Sequence, residues 1–174
     1  DRTAELDEEI HGAGIEADHC RSAFADTCVS LTGKRNAAAE VLSDAVEKGL
    51  TEIGMEEAKF EIRLSRRADE MGLVEDEDGR WQAGPGGIET VEFFLAANAG
   101  EARLPLKRVA SGGEISRIML VLKQLIAERD DVSTLFFDEI DAGISGRVAA
   151  AVGKKLEVLS TSHQAIVITH LPQI

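Results

Sequence analysis

From Leu6 to Ala45 the apolar positions recur at alternating steps of four and three: Leu6, Ile10, Ala13, Ala17, Cys20 and Phe24, then Cys28, Leu31, Ala38, Leu42 and Ala45. Arg35 alone interrupts the series, and one extra step at Cys28 has the form of a stutter. A seam of two positions per heptad flanked by Glu, Asp and Arg predicts a helix that supercoils against a partner helix; a solvated amphipathic helix is the alternative. No proline precedes Pro85, so the helix is expected to run to about Glu57, past the weak breaks at Gly49 and Gly54.

The period then changes. Phe60, Ile62 and Leu64 alternate with Glu61, Arg63 and Ser65, and Val91, Phe93 and Leu95 alternate again after the turn-rich stretches at 75–79 and 83–87. Period two with one polar face predicts two strands. Beyond Pro105 a helical pattern (Ile115, Ile118, Met119, Leu122, Leu125, Ile126) precedes the apolar run 132–137, a second helix to about Leu159, and the apolar run 165–169. Helix, buried strand, helix, buried strand is the rhythm of an α/β fold with a parallel sheet, whose strands are apolar on both faces.

Composition narrows the function classes. The 174 residues have a net charge of −13, 4% aromatics, one Trp and no Tyr. So few aromatics argue against a stacking platform for single-stranded nucleic acid. The acid is concentrated in residues 1–58, with 14 acidic against 5 basic side chains, whereas residues 59–174 carry 18 against 14. A bulk acidic surface repels phosphate backbone, so composition does not announce nucleic-acid binding. Cys20 and Cys28 form no CxxC or Cys/His cluster that closes a zinc site, and a reducing, cytoplasmic setting is expected. No apolar run approaches the roughly 18–20 residues that span a bilayer, so no membrane partner is expected.

Chemistry gathers at the ends of the two apolar runs. Asp138 and Glu139 follow the first and His170 the second, so parallel strands bring acids and imidazole to one carboxyl edge, where open α/β sheets bind ligands. Alone, an acid pair after a strand is usually a solvated turn and a terminal His a structural residue; the coincidence favours function. A hard carboxylate suits Mg²⁺, and its neighbour is placed to accept a proton from water. Ser111-Gly112-Gly113-Glu114 has the form of a capping box, which needs no function, but its two glycines strip side chains from the amides at the positive end of the helix. Such an end is suited to phosphate.

The ordered set ASGGE (110–114), TLFFDE (134–139), DAGISG (141–146) and ITH (168–170) resembles the carboxy-terminal half of an ATP-binding-cassette ATPase. The resemblance implies that Ser111, Gly112, Gly113 and Glu114 form the signature motif, facing the γ-phosphate of a nucleotide held by a second head. It makes Asp138 the Walker B aspartate that serves Mg²⁺, Glu139 the catalytic glutamate, Asp141 the nucleotide-side opening of the D-loop, and His170 the switch histidine. Asn98-Ala99-Gly100-Glu101, the run from Leu104 to Leu120, His163-Gln164 and the closing 168–174 are similar to the RecN branch of the SMC-like DNA-repair ATPases. Glu114 in place of the Gln usual in transporters, and DAGIS in place of SALD, fit that branch. The resemblance is specific over 98–174, moderate over 59–97 and only positional over 1–58.

The implied organisation is a coiled-coil arm segment over 1–58 and the C-terminal half of an ATPase head over 59–174. Gly33-Lys34 is followed by Arg35 and has Cys28 five residues before its glycine, so it is no Walker A. The phosphate loop is expected on an N-terminal half of the same head outside this sequence, and the chain alone is expected to be inactive. Implied cofactors are ATP and Mg²⁺, and implied partners are a second copy across sandwiched ATP and, through the family alone, DNA. Double-strand break repair and recombination at the nucleoid is the implied role, with Lys107, Arg108 and Arg117 as candidate DNA contacts. The alternatives are a Rad50-like or condensin-like head and a non-enzymatic acidic coiled-coil adaptor.

Overall fold

The computed structural model describes residues 2–108 and 111–174. Its elements, in chain order, are helix α1 (Arg2–Thr51), strands β1 (Lys59–Arg66), β2 (Val74–Asp76), β3 (Gly79–Trp81), β4 (Glu89–Ala96) and β5 (Leu104–Pro105), helix α2 (Gly112–Ile126), strand β6 (Thr134–Phe137), helix α3 (Gly146–Leu159) and strand β7 (Gln164–Val167). Short 3₁₀ turns at Leu106–Arg108 and Ala127–Arg129 flank α2. β1, β4 and β5 form one sheet in the order β1-β4-β5, β2 and β3 an antiparallel hairpin, and β6 and β7 a parallel pair. The chain divides into two compact units, one of residues 1–38 and 64–91 and the other of residues 39–63 and 92–174.

In the first unit the heptad helix is exposed over its first five turns and becomes buried at Cys28, which packs with Val74 and Ile88 and, around them, Phe24 and Trp81. The β2–β3 hairpin falls inside the connection that the sequence gives only as turn-rich. The Glu89 side chain is buried and accepts hydrogen bonds from the Thr32 hydroxyl and from Arg35 Nη1 at 2.9 Å. A buried carboxylate is tolerated because it is paired and hydrogen-bonded in this way.

In the second unit α1 stops at Thr51, six residues earlier than its pattern allows. Its final turns carry Val46 and Leu50, which with Ile53 are fully buried against Ile118, Leu122, Val152 and Leu156. Gly49 is required there, because a Cβ on it would fall within contact of Val121. The turn closes on Gly54, whose φ of 80° is open to glycine. α2 begins at the predicted cap: the Ser111 hydroxyl accepts from the Glu114 backbone N–H at 3.4 Å.

β6 and β7 are parallel with Thr134 opposite Gln164 and Phe137 opposite Val167. Leu135 and Phe137 enter the core, whereas Phe136 is 73% exposed and Ile166 and Ile168 are also exposed. The expectation of strands buried on both faces is therefore met on one face only, since the described residues supply a layer of helices to that face alone.

Candidate functional site

The parallel register brings the carboxyl ends of β6 and β7 to one edge, and with them Asp138, Glu139 and His170. Asp138 is exposed, and its Oδ1 accepts the Glu139 backbone N–H at 2.9 Å. Glu139 sits at φ 56°, the left-handed region that a residue with a side chain enters only where its surroundings hold it there. Those surroundings are visible. A Cβ on Gly112 would collide with Glu139 Oε2, and one on Gly113 would lie 2.9 Å from Glu139 O and 2.8 Å from Ala142 Cβ. The two glycines thus let the start of α2 close directly on the loop that follows β6, with the Glu139 carboxylate beside the positive end of the helix.

Asp141 is placed differently from the expectation that it faces nucleotide. It is 4% exposed and turned toward the end of β7. Its Oδ2 accepts the Thr169 hydroxyl at 2.6 Å and the His170 backbone N–H at 2.9 Å, and His170 Nδ1 lies 3.0 Å away. The Thr169 hydroxyl first, then the His170 amide, hold this carboxyl below the ordinary aspartate range, against the opposing effect of burial. The His170 ring is 81% exposed, so the buried carboxylate fixes the backbone and leaves the imidazole projecting from the edge.

Ser111 and Gly112 are exposed at the α2 terminus, while Gly113 is buried and Glu114 half-buried. Val109 and Ala110, which lead into this segment, lie outside the described residues. A cavity of about 390 Å³ adjoins the cap and is lined by Asn98, Glu101, Arg108, Ser111 and Glu114 among others. Spacing alone does not reveal it, because it depends on where the loop after β4 returns to the helix.

Arg117 is not the surface cation that its charge suggests. It is 7% exposed, and its Nη1 donates to the carbonyls of Ile140 at 3.3 Å and Ala142 at 2.9 Å. Burial lowers its pKa from the ordinary arginine value. Lys107 remains exposed but is paired with Glu92 at 3.0 Å. Gly33-Lys34 lies within α1 and a second such pair, Gly153-Lys154, within α3. Among the described residues there is no cluster of three or more His, Cys, Asp or Glu able to hold a metal. The exposed carboxylate of Asp138 nonetheless fits Mg²⁺, which keeps several waters and takes one or two carboxylates together with substrate phosphates.

No family model matches the chain. Curated relatives do. It is 42% identical to the DNA repair protein RecN of Treponema pallidum over 145 residues, which are 83% of this chain and 24% of that protein. It is 38% identical to RecN of Streptomyces coelicolor over 91% of this chain and 28% of the relative, and 34% identical to RecN of Bacillus subtilis over 100% and 31%. The chain thus spans about a quarter to a third of the length of the curated relatives it matches. Among solved structures it is similar to an Smc head domain with an extended coiled coil from Pyrococcus furiosus, solved bound to the C-terminal domain of ScpA. The TM-score is 0.51 at 19% identity, covering 80% of this chain and 30% of that one, a likeness of fold. Among the described residues no helix is long and apolar enough to cross a membrane.

Proposed function

Because this chain belongs to the RecN family, as an SMC-like head segment with a helical arm, we propose that it supplies the signature and Walker B side of an ATPase that acts in DNA double-strand break repair. Residues 1–58 would be the returning strand of the coiled-coil arm and residues 59–174 the C-terminal half of the head. The observation that carries the reading is the meeting of three elements at one sheet edge: Asp138-Glu139 after β6, His170 after β7, and the start of α2 closed against Glu139.

In the proposed reaction Asp138 would hold Mg²⁺. The metal, when bound, neutralises charge on phosphate oxygens. Glu139 orients the attacking water and accepts its proton, and His170 projects toward the γ-phosphate. Ser111 and the amides of Gly112 and Gly113 face the nucleotide of a second copy, so that ATP is sandwiched between two heads and its hydrolysis releases them. The exposed face of Phe136, Ile166 and Ile168 would be covered by the N-terminal half of the same head, which would also bring the Walker A loop. Work on DNA sets the protein in the cytoplasm at the nucleoid.

The test is light-scattering mass of the full-length protein carrying Glu139→Gln, with and without ATP and Mg²⁺. A doubling only with nucleotide, together with lost turnover, is expected. Adding Ser111→Arg should abolish the doubling while each monomer still binds ATP. Undiminished hydrolysis in Glu139→Gln overturns the assignment, and no nucleotide binding at all favours the adaptor.

A further inference from the structure

Arg117 is the buried charge that the proposed chemistry does not use. A guanidinium withdrawn from water is costly, and a well-packed apolar side chain at such a position is often no less stable. Packing alone therefore does not account for it. Its contacts do: Nη1 bridges the carbonyls of Ile140 and Ala142, the residues on either side of Asp141. The neighbouring Ser116 hydroxyl donates to the carbonyl of Asp138 at 2.6 Å. Two consecutive side chains of α2 thus hold the backbone oxygens of residues 138, 140 and 142, every second residue of the loop that carries Glu139.

The same helix touches that loop again one turn earlier, where Gly112 and Gly113 lie against Glu139 and Ala142. The loop in turn holds the end of β7 through Asp141 and its bonds to Thr169 and His170. A shift of α2 is therefore delivered to Glu139 directly and to His170 through one buried carboxylate. Among the described residues Arg117 Nε has no hydrogen-bond partner. The recorded hydrogen bonds of the guanidinium, both from Nη1, go to the loop.

We propose that Arg117 is a positioning residue that couples the start of α2 to the hydrolytic edge of its own head. When Ser111 and Gly113 engage the nucleotide of the second head, α2 sets Glu139 and His170 for hydrolysis at their own. The inference rests on the ATPase reading above. It assigns Arg117 an effect on turnover and none on nucleotide affinity.

The experiment compares full-length parent, Arg117→Met, Arg117→Lys and Glu139→Gln by steady-state ATPase assay, with thermal unfolding alongside. Arg117→Met should lower kcat about 10- to 100-fold, the scale of a misplacement of about 1 Å, with KM for ATP within about twofold of the parent. Arg117→Lys, which still donates to these carbonyls, should recover most of the loss. The Arg117→Met, Glu139→Gln double variant should still double in mass with ATP. A structural role alone lowers Tm and yield but leaves kcat per folded molecule intact, so parental kcat in Arg117→Met overturns the inference, as does a loss that Lys does not rescue. If Arg117→Met does not fold, Ser116→Ala replaces it, with a smaller loss of kcat expected and no loss overturning the proposal. Full turnover in Glu139→Gln removes the ATPase reading itself, whereas an inactive Glu139→Gln beside a normal Arg117→Met removes only the coupling.

Discussion

Asp141 receives the backbone N–H of His170 at 2.9 Å and faces Nδ1 of the same residue at 3.0 Å. One buried carboxylate therefore fixes the backbone of the histidine at the end of the neighbouring strand and lies beside its exposed ring. Asp141→Ala leaves the Thr169 hydroxyl and the His170 amide without their acceptor and frees the ring to turn away. On the proposed ATPase reading the full-length variant should lose about 10- to 100-fold in ATP turnover. A steady-state ATPase assay checks this, and unchanged kcat would remove Asp141 from any role in placing His170.

The same carboxylate sets a pH limit. Asp141 is held low by the Thr169 hydroxyl and the His170 amide, and Asp130 is held low chiefly by its hydrogen bond from Lys123 at 2.6 Å. A carboxylate whose folded pKa lies below its unfolded value of about 3.9 contributes stability that is fully present above that value and lost as pH falls through the folded one. Stability should therefore hold down to about pH 5 and decline below about pH 4. Thr169→Val removes the largest cause at Asp141, so its acid-unfolding midpoint, followed by circular dichroism, should move to higher pH.

Glycines in helical positions should divide by what surrounds them. Nothing lies within 4 Å of a Cβ built on Gly33, so Gly33→Ala should stabilise by about 0.5–1 kcal/mol through helix propensity. At Gly113 the same methyl meets Glu139 O at 2.9 Å, and the overpacking cost of about 1–3 kcal/mol exceeds that gain. Denaturant titration of the two variants should give opposite signs.

Leu50, fully buried at the end of α1, tests whether the helix is rooted in the core of the second unit. Leu50→Ala should cost about 2–5 kcal/mol by denaturant titration, whereas Leu6→Ala, on the exposed stretch, should change the stability of this chain by less than about 0.5 kcal/mol.

The sequence discloses the parts of this architecture that repeat over many residues or sit at ends. The long heptad series, the two period-two strands, the Ser111 cap and the shared edge of Asp138, Glu139 and His170 are all visible in it. It conceals what depends on three-dimensional return. β2 and β3 have three residues each, too few for a period to appear. Asp141 and Arg117 carry charges that favour the surface, and only the packing of α2 and β7 onto one loop draws them inside. The left-handed Glu139 has no sequence signature, since glycine is the usual occupant of such a position.

Phe136 gives the strand pair two contrary solubility demands. Its ring lies open on a sheet that, among the described residues, has only the two strands β6 and β7, the kind of short exposed sheet that seeds aggregation. Under a covering lobe it would be an interior anchor. Phe136→Lys should consequently make the 174-residue chain better behaved at high concentration, whereas on the proposed two-lobed head it should do the reverse, so a solubility screen and an activity screen would select opposite residues at this position.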